Sequence, residues 1–322
     1  MDYLHEQLKP LSEFLRDPST VEIAVNPDNS VWILRRGDVS MQRAALIFRK
    51  GQAHKLIELI AGKAHAKTSD KKLLVSASIN FENRLVRAQG LLPPAVQGEA
   101  ALSLRLFASI NIDQINLSYL HGRSHSISAR HEEILADLDQ LIESGDLINT
   151  LSFCVTNRLN VLIAGGTDTG KTVALRKILS LIDPTDRLIT IEDAEELLPT
   201  QPNTVPMIAD RHSDTRTTDR LLEASLRMRP DRIIVGEIRG KEAMTFLEAI
   251  NTGHGGSMST IHAETPDLAL DRLAIAAARA DVPMTYDNLR AYIHRTIDVI
   301  VQAGRHGSQR GIAEIYRVRG KH

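Results

Sequence analysis

The chain has little of several residue types, and each shortage excludes a class of protein or site. One cysteine, Cys154, in 322 residues excludes an internal disulfide and a zinc site built from cysteines. No stretch approaches the roughly 18 uninterrupted apolar residues of a membrane-spanning helix. The first ten residues lack the apolar run of a signal peptide. We therefore expect a cytoplasmic protein, with peripheral attachment to a membrane complex left open.

Aromatic residues and an excess of one charge are also lacking. Aromatics make up 4% of the chain, and 39 Lys and Arg face 40 Asp and Glu. The balanced charge gives no overall electrostatic attraction to nucleic acid or an acidic membrane, and few aromatic side chains are available to stack on bases. Hydrophobic residues at 43% and charged residues at 25% are typical of a folded globular protein, and the length suits two domains.

The first 108 residues predict an α+β domain. The runs "VEIAVN" and "VWILRR" are separated by turn residues 26–29, which predicts a hairpin. A helical stripe covers 52–67, and "RLVRAQGLLPP" and "ALSLRLF" predict two later strands. Residues 109–130, with the polar stretch "HGRSHSIS", predict a linker.

Strands and helices alternate from 131 to 322, which predicts a second domain with a parallel sheet and right-handed crossovers. The segments that show this alternation are "EEILADLDQLIESGDLINTLSFCV", "NVLIAGG", "TVALRKILSLI", "RLITIED", "DRLLEASLRM", "DRIIVGE", "EAMTFLEAIN" and "GSMSTIHA".

A phosphate-binding loop is predicted at 165–172, directly after an apolar strand and before a helix. Its residues are Gly165, Gly166, Thr167, Asp168, Thr169, Gly170, Lys171 and Thr172, which complete the pattern G-x-x-x-x-G-K-[ST]. Backbone amides and the helix N-terminus would hold the phosphates of ATP, Lys171 would reach the β and γ phosphates, and the Thr172 hydroxyl would bind Mg²⁺. The alternative is a glycine-rich turn with a chance Lys-Thr pair.

Asp168 places a negative charge in a loop that receives anions. Aspartate tolerates the left-handed conformation better than most residues. We therefore expect the loop to close with this carboxylate turned outward, and we expect an effect on turnover rather than on the fold.

Three further apolar strands end in residues suited to chemistry. Glu237 follows "RIIV", Glu192 and Asp193 follow "LITI", and His254 and His262 flank "SMSTI". Parallel strands bring their carboxyl ends to one edge, where Glu237 would polarise a water and a neutral histidine would donate to the γ-phosphate. The alternatives are a solvated glutamate, carboxylates drawn to a helix N-terminus, and unrelated histidines.

Together the four strand ends resemble the secretion traffic ATPases, the hexameric motors of type IV secretion and conjugation, type II secretion and type IV pili. "GGTDTGKT" resembles the phosphate loop of this family, "ITIEDAEEL" its acidic box, "LRMRPDRIIVGEIRG" its second carboxylate box and "NTGHGGSMSTIHAET" its histidine box. "DPSTVEIAVNPDNSVWI" resembles its opening strands. The resemblance implies an α/β fold in which a smaller α+β domain, for oligomerisation and nucleotide clamping, precedes a RecA-like P-loop NTPase domain with a mainly parallel sheet.

The resemblance also implies roles for the carboxylates and the histidine. Glu237 is the expected catalytic residue. Glu192 and Asp193 are expected to place magnesium and water, with Asp193 and Thr172 as the Mg²⁺ ligands, and His262 is expected to sense the γ-phosphate.

Four arginines resemble arginines of the family. Arg87 and Arg105 match its phosphate-contacting pair, and a guanidinium carried by a separate domain would couple hydrolysis to movement. Without the resemblance, each would be a strand residue on a solvated face. Arg227 and Arg229 resemble arginines for which an inter-subunit role is the hypothesis.

The branch of the family is implied by the resemblance alone. One cysteine cannot supply the four-cysteine zinc element of type II secretion and pilus-extension members, and the histidine box differs in wording from pilus-retraction members. The resemblance favours the type IV secretion and conjugation branch: a cytoplasmic homohexamer docked on an inner-membrane secretion complex, using ATP and Mg²⁺. The alternatives are a tight-adherence pilus ATPase, a RecA-like nucleic-acid motor, and a nucleotide-gated scaffold with little hydrolysis.

Overall fold

The computed structural model of the chain describes residues 3–64, 72–107, 113, 115–120 and 126–320. Its helices are α1 (Tyr3–Leu8), α2 (Ser12–Arg16), α3 (Gln52–Lys63), α4 (Ile127–Ser144), α5 (Leu147–Thr156), α6 (Lys171–Leu179), α7 (Thr218–Ser225), α8 (Glu242–Asn251), α9 (Pro266–Ala278) and α10 (Tyr286–Thr296), with a 3-10 turn (Lys9–Leu11) between the first two. Its strands are β1 (Thr20–Val25), β2 (Ser30–Arg35), β3 (Gln42–Ile47), β4 (Leu74–Phe81), β5 (Arg84–Leu91), β6 (Ala101–Leu106), β7 (Val161–Gly165), β8 (Leu188–Glu192), β9 (Thr204–Ile208), β10 (Arg232–Val235), β11 (Met258–His262), β12 (Val299–His306) and β13 (Gln309–Arg317).

The chain divides into two compact units. Unit 1 combines Met1–Ala108 with Asp183–Ile234, and unit 2 combines Ser109–Ile182 with Val235–His322. Of the predicted linker at 109–130, the structure describes residues 113, 115–120 and 126–130, and 127–130 begin helix α4. The functional domains 1–108 and 131–322 stay a prediction.

An antiparallel sheet dominates the first part of unit 1, with strand order β3-β2-β1-β6-β5-β4. The predicted hairpin is confirmed, since Val25 pairs with Val31 across a turn in which Asn29 is left-handed. Helix α3 buries its apolar stripe, and the side chain of Ile57 lies so close to Gly90 of β5 that a Cβ there would meet it at 2.8 Å. The edge strands β3 and β4 are not predicted, because their exposed or small polar residues give no apolar run.

The second part of unit 1 contributes β10, β8 and β9 as neighbours, with β8 and β9 parallel. Residues 95–97 pair along β9: the amide of Gln97 donates to the carbonyl of Pro206 at 2.9 Å, and the amide of Ile208 donates to Ala95 at 3.0 Å. Pro206 has no N–H, which hides this strand from the sequence pattern. The two segments of unit 1 are thus joined by backbone hydrogen bonds.

A fully buried arginine also joins these two segments. Arg187 precedes β8, and its guanidinium donates to Asn26 at 2.7 Å, to the carbonyl of Met228 at 3.0 Å and to the amide oxygen of Asn203. Burial lowers the pKa of Arg187 to about 10, which leaves it charged at neutral pH. A buried cation held by neutral acceptors fixes the position of the turn at Asn26.

Unit 2 is built on the strand order β13-β12-β7-β11, in which β12, β7 and β11 are parallel and β13 is antiparallel. The helical run predicted before β7 is two helices, because Gly145 ends α4 in the left-handed conformation and Asp146 caps α5. Helix α5 buries Cys154, and burial raises the pKa of this thiol to about 12. Among the helices of the described residues, none has both the length and the apolar content needed to cross a bilayer.

Candidate functional site

The phosphate loop of unit 2 has the geometry of an anion site. Strand β7 is buried throughout and ends at Gly165, where a Cβ would meet the carbonyl oxygen of Ala303 at 3.0 Å. Helix α6 begins at Lys171 after Gly170, whose φ of 87° suits glycine, and none of the described side chains caps it. The first-turn amides of α6 are therefore not covered by a capping side chain and present partial positive charge to a phosphate.

Lys171 is held within this loop by two polar groups. The residue is 9% exposed, its Nζ donates to the carbonyl of Gly166 at 2.8 Å, and Nζ lies 3.2 Å from Nδ1 of His262. Burial lowers the pKa of Lys171, while Glu237 opposes that change. The Thr169 hydroxyl also donates to Gly166, at 3.0 Å. The Lys171 ammonium is thus held beside the loop in the absence of a ligand.

Glu237 and His262 meet at the carboxyl ends of their strands. Ile238 donates to Thr260 at 2.9 Å and the Thr260 hydroxyl donates to Gly236 at 2.7 Å, which fixes the segment after β10 beside β11. In consequence Nε2 of His262 lies 3.0 Å from Oε1 of Glu237. Three of the four strand ends singled out in the sequence thereby come together in unit 2.

The protonation of His262 follows from its neighbours. The Lys171 ammonium can only donate, so Nδ1 of His262 accepts and the proton lies on Nε2, beside Glu237. Burial lowers the pKa of His262, with Lys171, Arg239 and Arg272 adding to the effect and Glu237 opposing it. The imidazole is therefore neutral at pH 7.

The two carboxylate oxygens of Glu237 have different surroundings. Arg239 contacts Oε2, whereas Oε1 is buried and has Nε2 of His262 as its polar neighbour, at 3.0 Å. An acceptor with lone pairs available suits the orientation of an attacking water. Arg239 was not singled out in the sequence, although it stands within "GEIRG".

The loop residues fit a magnesium-bound triphosphate. Thr172 is half-buried at the second position of α6, where the hydroxyl of this motif binds Mg²⁺. The described residues contain no group of three or more His, Cys, Asp or Glu side chains that would hold a metal ion by themselves. Mg²⁺ is commonly held by one or two protein oxygens together with substrate phosphates.

Asp168 adopts the left-handed conformation, with φ 60°, and its carboxylate faces the hairpin of β12 and β13. Arg310 donates from its terminal guanidinium nitrogen to this carboxylate at 2.5 Å and from Nε to the Asp168 carbonyl at 2.8 Å. Arg305 lies 3.4 Å from the same carboxylate oxygen. Arg310 lowers the pKa of Asp168, so the carboxylate is charged and paired.

Glu192, the last residue of β8, and Asp193, which follows it, belong to unit 1. Glu192 is buried, and its Oε1 accepts the amides of Glu196 and Leu197 at 3.1 and 3.0 Å. Burial raises its pKa to about 7. Asp193 is more exposed and pairs with Arg211 at 3.0 Å. The roles of both residues in placing magnesium and water stay predictions.

The four arginines resembling family residues also lie in unit 1. Arg87 and Arg105 stand directly opposite each other on β5 and β6, and both side chains are exposed. Arg87 packs its guanidinium 5.0 Å from the ring centre of Phe107. Arg227 is exposed, and Arg229 pairs with Asp231 at 2.8 Å.

Sequence reasoning missed the hairpin that carries Arg305 and Arg310. The signal was present, because Gly307 and Ser308 form a two-residue connection of the kind that joins antiparallel strands. The strands on either side are exposed at the turn, so no apolar run marks them there.

Comparisons with known proteins agree with this architecture. The family described as Type II/IV secretion system protein matches residues 9–305. The type IV secretion system protein VirB11 of Bartonella quintana (strain Toulouse) is 30% identical over 96% of this chain and 91% of its own length. The conjugal transfer protein TrbB of Rhizobium radiobacter is 32% identical over 95% of this chain and 86% of its own length.

A solved structure matches almost the whole chain. The crystal structure of the VirB11 ATPase from the Brucella suis type IV secretion system, in complex with sulphate, has a TM-score of 0.86 and 28% identity, covering 98% of this chain and 94% of that one. The expected RecA-like fold with a smaller N-terminal domain is confirmed by this match, as is the expected branch. The chain belongs to the type II/IV secretion system protein family.

Proposed function

We propose that this chain is the ATPase that powers a type IV secretion or conjugative transfer machine. The observation that carries the proposal is the contact series in unit 2, from Lys171 through His262 to Glu237. These residues stand at the ends of a phosphate loop and two further strands, and their chemistry is that of phosphoryl transfer.

Each residue of the contact series has a distinct task. The uncapped amides of α6 and the Lys171 ammonium bind the phosphates and stabilise charge that develops on them. Glu237 orients a water through its buried Oε1 and accepts its proton. Neutral His262 contacts Glu237 through one ring nitrogen and Lys171 through the other. A movement of Lys171 when phosphate binds in the loop would therefore shift the Glu237 carboxylate.

Magnesium, when bound, neutralises phosphate charge, and the residues we assign to it are Thr172 and Asp193. We also assign Arg87 and Arg105 to contacts with the phosphates, whose negative charge they would neutralise.

We assign the chain to a homohexamer in the cytoplasm, docked on inner-membrane subunits of the machine. The printed names of the relatives, a type IV secretion system protein and a conjugal transfer protein, support the choice of such a machine.

Steady-state ATP hydrolysis over a wide range of protein concentration tests the proposal, with Lys171→Ala as the blank. A specific activity that rises with concentration and disappears in Lys171→Ala supports an oligomeric motor. Activity equal to the blank at every concentration, with nucleotide still bound, would favour the scaffold. Salt-sensitive capture of single-stranded DNA with DNA-stimulated turnover would favour a nucleic-acid motor instead.

A further inference from the structure

The C-terminal hairpin of β12 and β13 lies against the phosphate loop at three points. A Cβ added to Gly165 would lie 3.0 Å from the carbonyl oxygen of Ala303. The stem of Arg310 passes Gly170, where an added Cβ would lie 3.8 Å from its Cβ and Cδ. The guanidinium of Arg310 then reaches both the carboxylate and the carbonyl of Asp168. The hairpin therefore contacts the start, the middle and the end of the loop.

An isolated exposed ion pair would be weak evidence for a functional role, because such pairs contribute about 0–1 kcal/mol to stability. The Asp168 pair differs because one guanidinium holds two oxygens of a single residue, and because Arg305 adds a second cation. These contacts turn the carboxylate toward the hairpin, at a position where a free negative charge would oppose bound phosphates. The arrangement bears on the charge of the loop rather than on the stability of the fold.

We propose that Arg310 is a positioning residue of the phosphate loop, which neutralises Asp168 and keeps its carboxylate directed to the hairpin, so that nucleotide affinity depends on the C-terminal hairpin. The inference rests on the proposed function, because it needs the loop to bind a nucleoside phosphate. It assigns Arg310 no contact with the ligand.

If Arg310 acts by neutralising Asp168, the effect of removing Arg310 requires the charge of Asp168, whereas a purely structural role would not. In Arg310→Ala the Asp168 carboxylate loses its main partner and repels the phosphates. In Asp168→Asn there is no charge to neutralise, and asparagine still tolerates the left-handed conformation. The effect of removing Arg310 should therefore vanish in the Asp168→Asn background, as in a double-mutant cycle.

The experiment is titration of the full chain with a fluorescent ADP analogue and Mg²⁺, at low and at high salt. We expect Arg310→Ala to raise Kd roughly threefold to tenfold at low salt and less at high salt, because screening weakens the repulsion. The matched control is Gln309→Ala, an exposed neighbour on the same strand, which should leave Kd unchanged. Arg310→Ala in the Asp168→Asn background should change Kd less than twofold.

Thermal unfolding of each variant checks that it folds, and Arg310→Gln serves if Arg310→Ala does not. A Kd unchanged in the Arg310 variant, or a loss of affinity equally large in the Asp168→Asn background, overturns the inference alone. A wild-type chain whose Kd cannot be distinguished from that of Lys171→Ala overturns the proposed function and this inference with it.

Discussion

Arg87 and Arg105 occupy directly opposed positions on neighbouring antiparallel strands, so two cations stand side by side on one exposed face. Like charges at such positions are destabilising by a few tenths of a kcal/mol to about 1 kcal/mol. A pair of this kind is suited to an anion that both guanidinium groups can contact at once.

Arg105→Ala should lose turnover while the fold stays intact. Removing one guanidinium from a site of transferred phosphoryl charge lowers kcat by roughly 100-fold or more, whereas relief of the like-charge contact leaves stability unchanged or slightly higher. Steady-state kinetics and urea unfolding measure the two effects. Unchanged turnover in this variant would contradict the clamping role of the N-terminal domain, and Arg43→Ala, on the edge strand β3, is the surface control.

Glu237→Gln should retain nucleotide binding and lose hydrolysis. The amide keeps an oxygen but cannot accept a proton from water, so we expect kcat to fall roughly 100-fold or more with Kd for ADP within a few fold of wild type. Single-turnover hydrolysis separates chemistry from product release. If this variant hydrolyses ATP at the wild-type rate, Glu237 is not the catalytic carboxylate.

The ATPase rate should fall below neutral pH, because His262 becomes protonated. Because the pKa of His262 lies below its ordinary value of 6.5, the imidazole stays neutral above that pH and the rate should be flat from pH 7 to 8. Protonation would place a proton on Nδ1, which lies 3.2 Å from the Lys171 ammonium, and would disrupt the loop.

His262→Gln should lose this acid limb and lower the rate at pH 7.5 roughly tenfold. The control is His254→Gln, because the two histidines flank the same strand and only His262 lies in the contact series. An acid limb that persists unchanged in His262→Gln would assign the titration to another group.

Glu192→Gln should stabilise the chain at alkaline pH. Folding raises the pKa of Glu192 from 4.5 to about 7, so the carboxyl favours the folded state below pH 4.5, and this contribution is lost as pH rises through 7. A shift of this size corresponds to roughly 3 kcal/mol. The glutamine retains an acceptor for the amides of Glu196 and Leu197.

Urea unfolding of wild type and Glu192→Gln at pH 5 and pH 8 measures this contribution. The stability gained by the substitution should be larger at pH 8 than at pH 5. An equal difference at both pH values would mean that Glu192 does not titrate in this range, and Asp193→Asn is the neighbouring control.

Much of this organisation could be predicted, because buried parallel strands leave continuous apolar runs and the residues at their ends carry the chemistry. The loop at Lys171, Glu237 after "RIIV" and His262 after "SMSTI" are examples. The edge strand β3 and the interrupted strand β9 could not be found in this way. The exposed residues of β3 and Pro206 in β9 disrupt the hydrophobic pattern by which a strand is predicted. Arg310 was beyond reach for another reason: its partner Asp168 is 142 positions earlier, and single-sequence patterns carry no information on such pairs.

The buried thiol of Cys154 makes the wild-type chain a practical background for site-directed labelling. Maleimides react with thiolates, and a group with a pKa of about 12 inside a helix packed against the core yields almost none at neutral pH. A cysteine introduced at an exposed position such as Ser308, in the turn of the hairpin, would be the reactive one. A fluorophore there would report movement of the hairpin as nucleotide enters, without first engineering the native cysteine away.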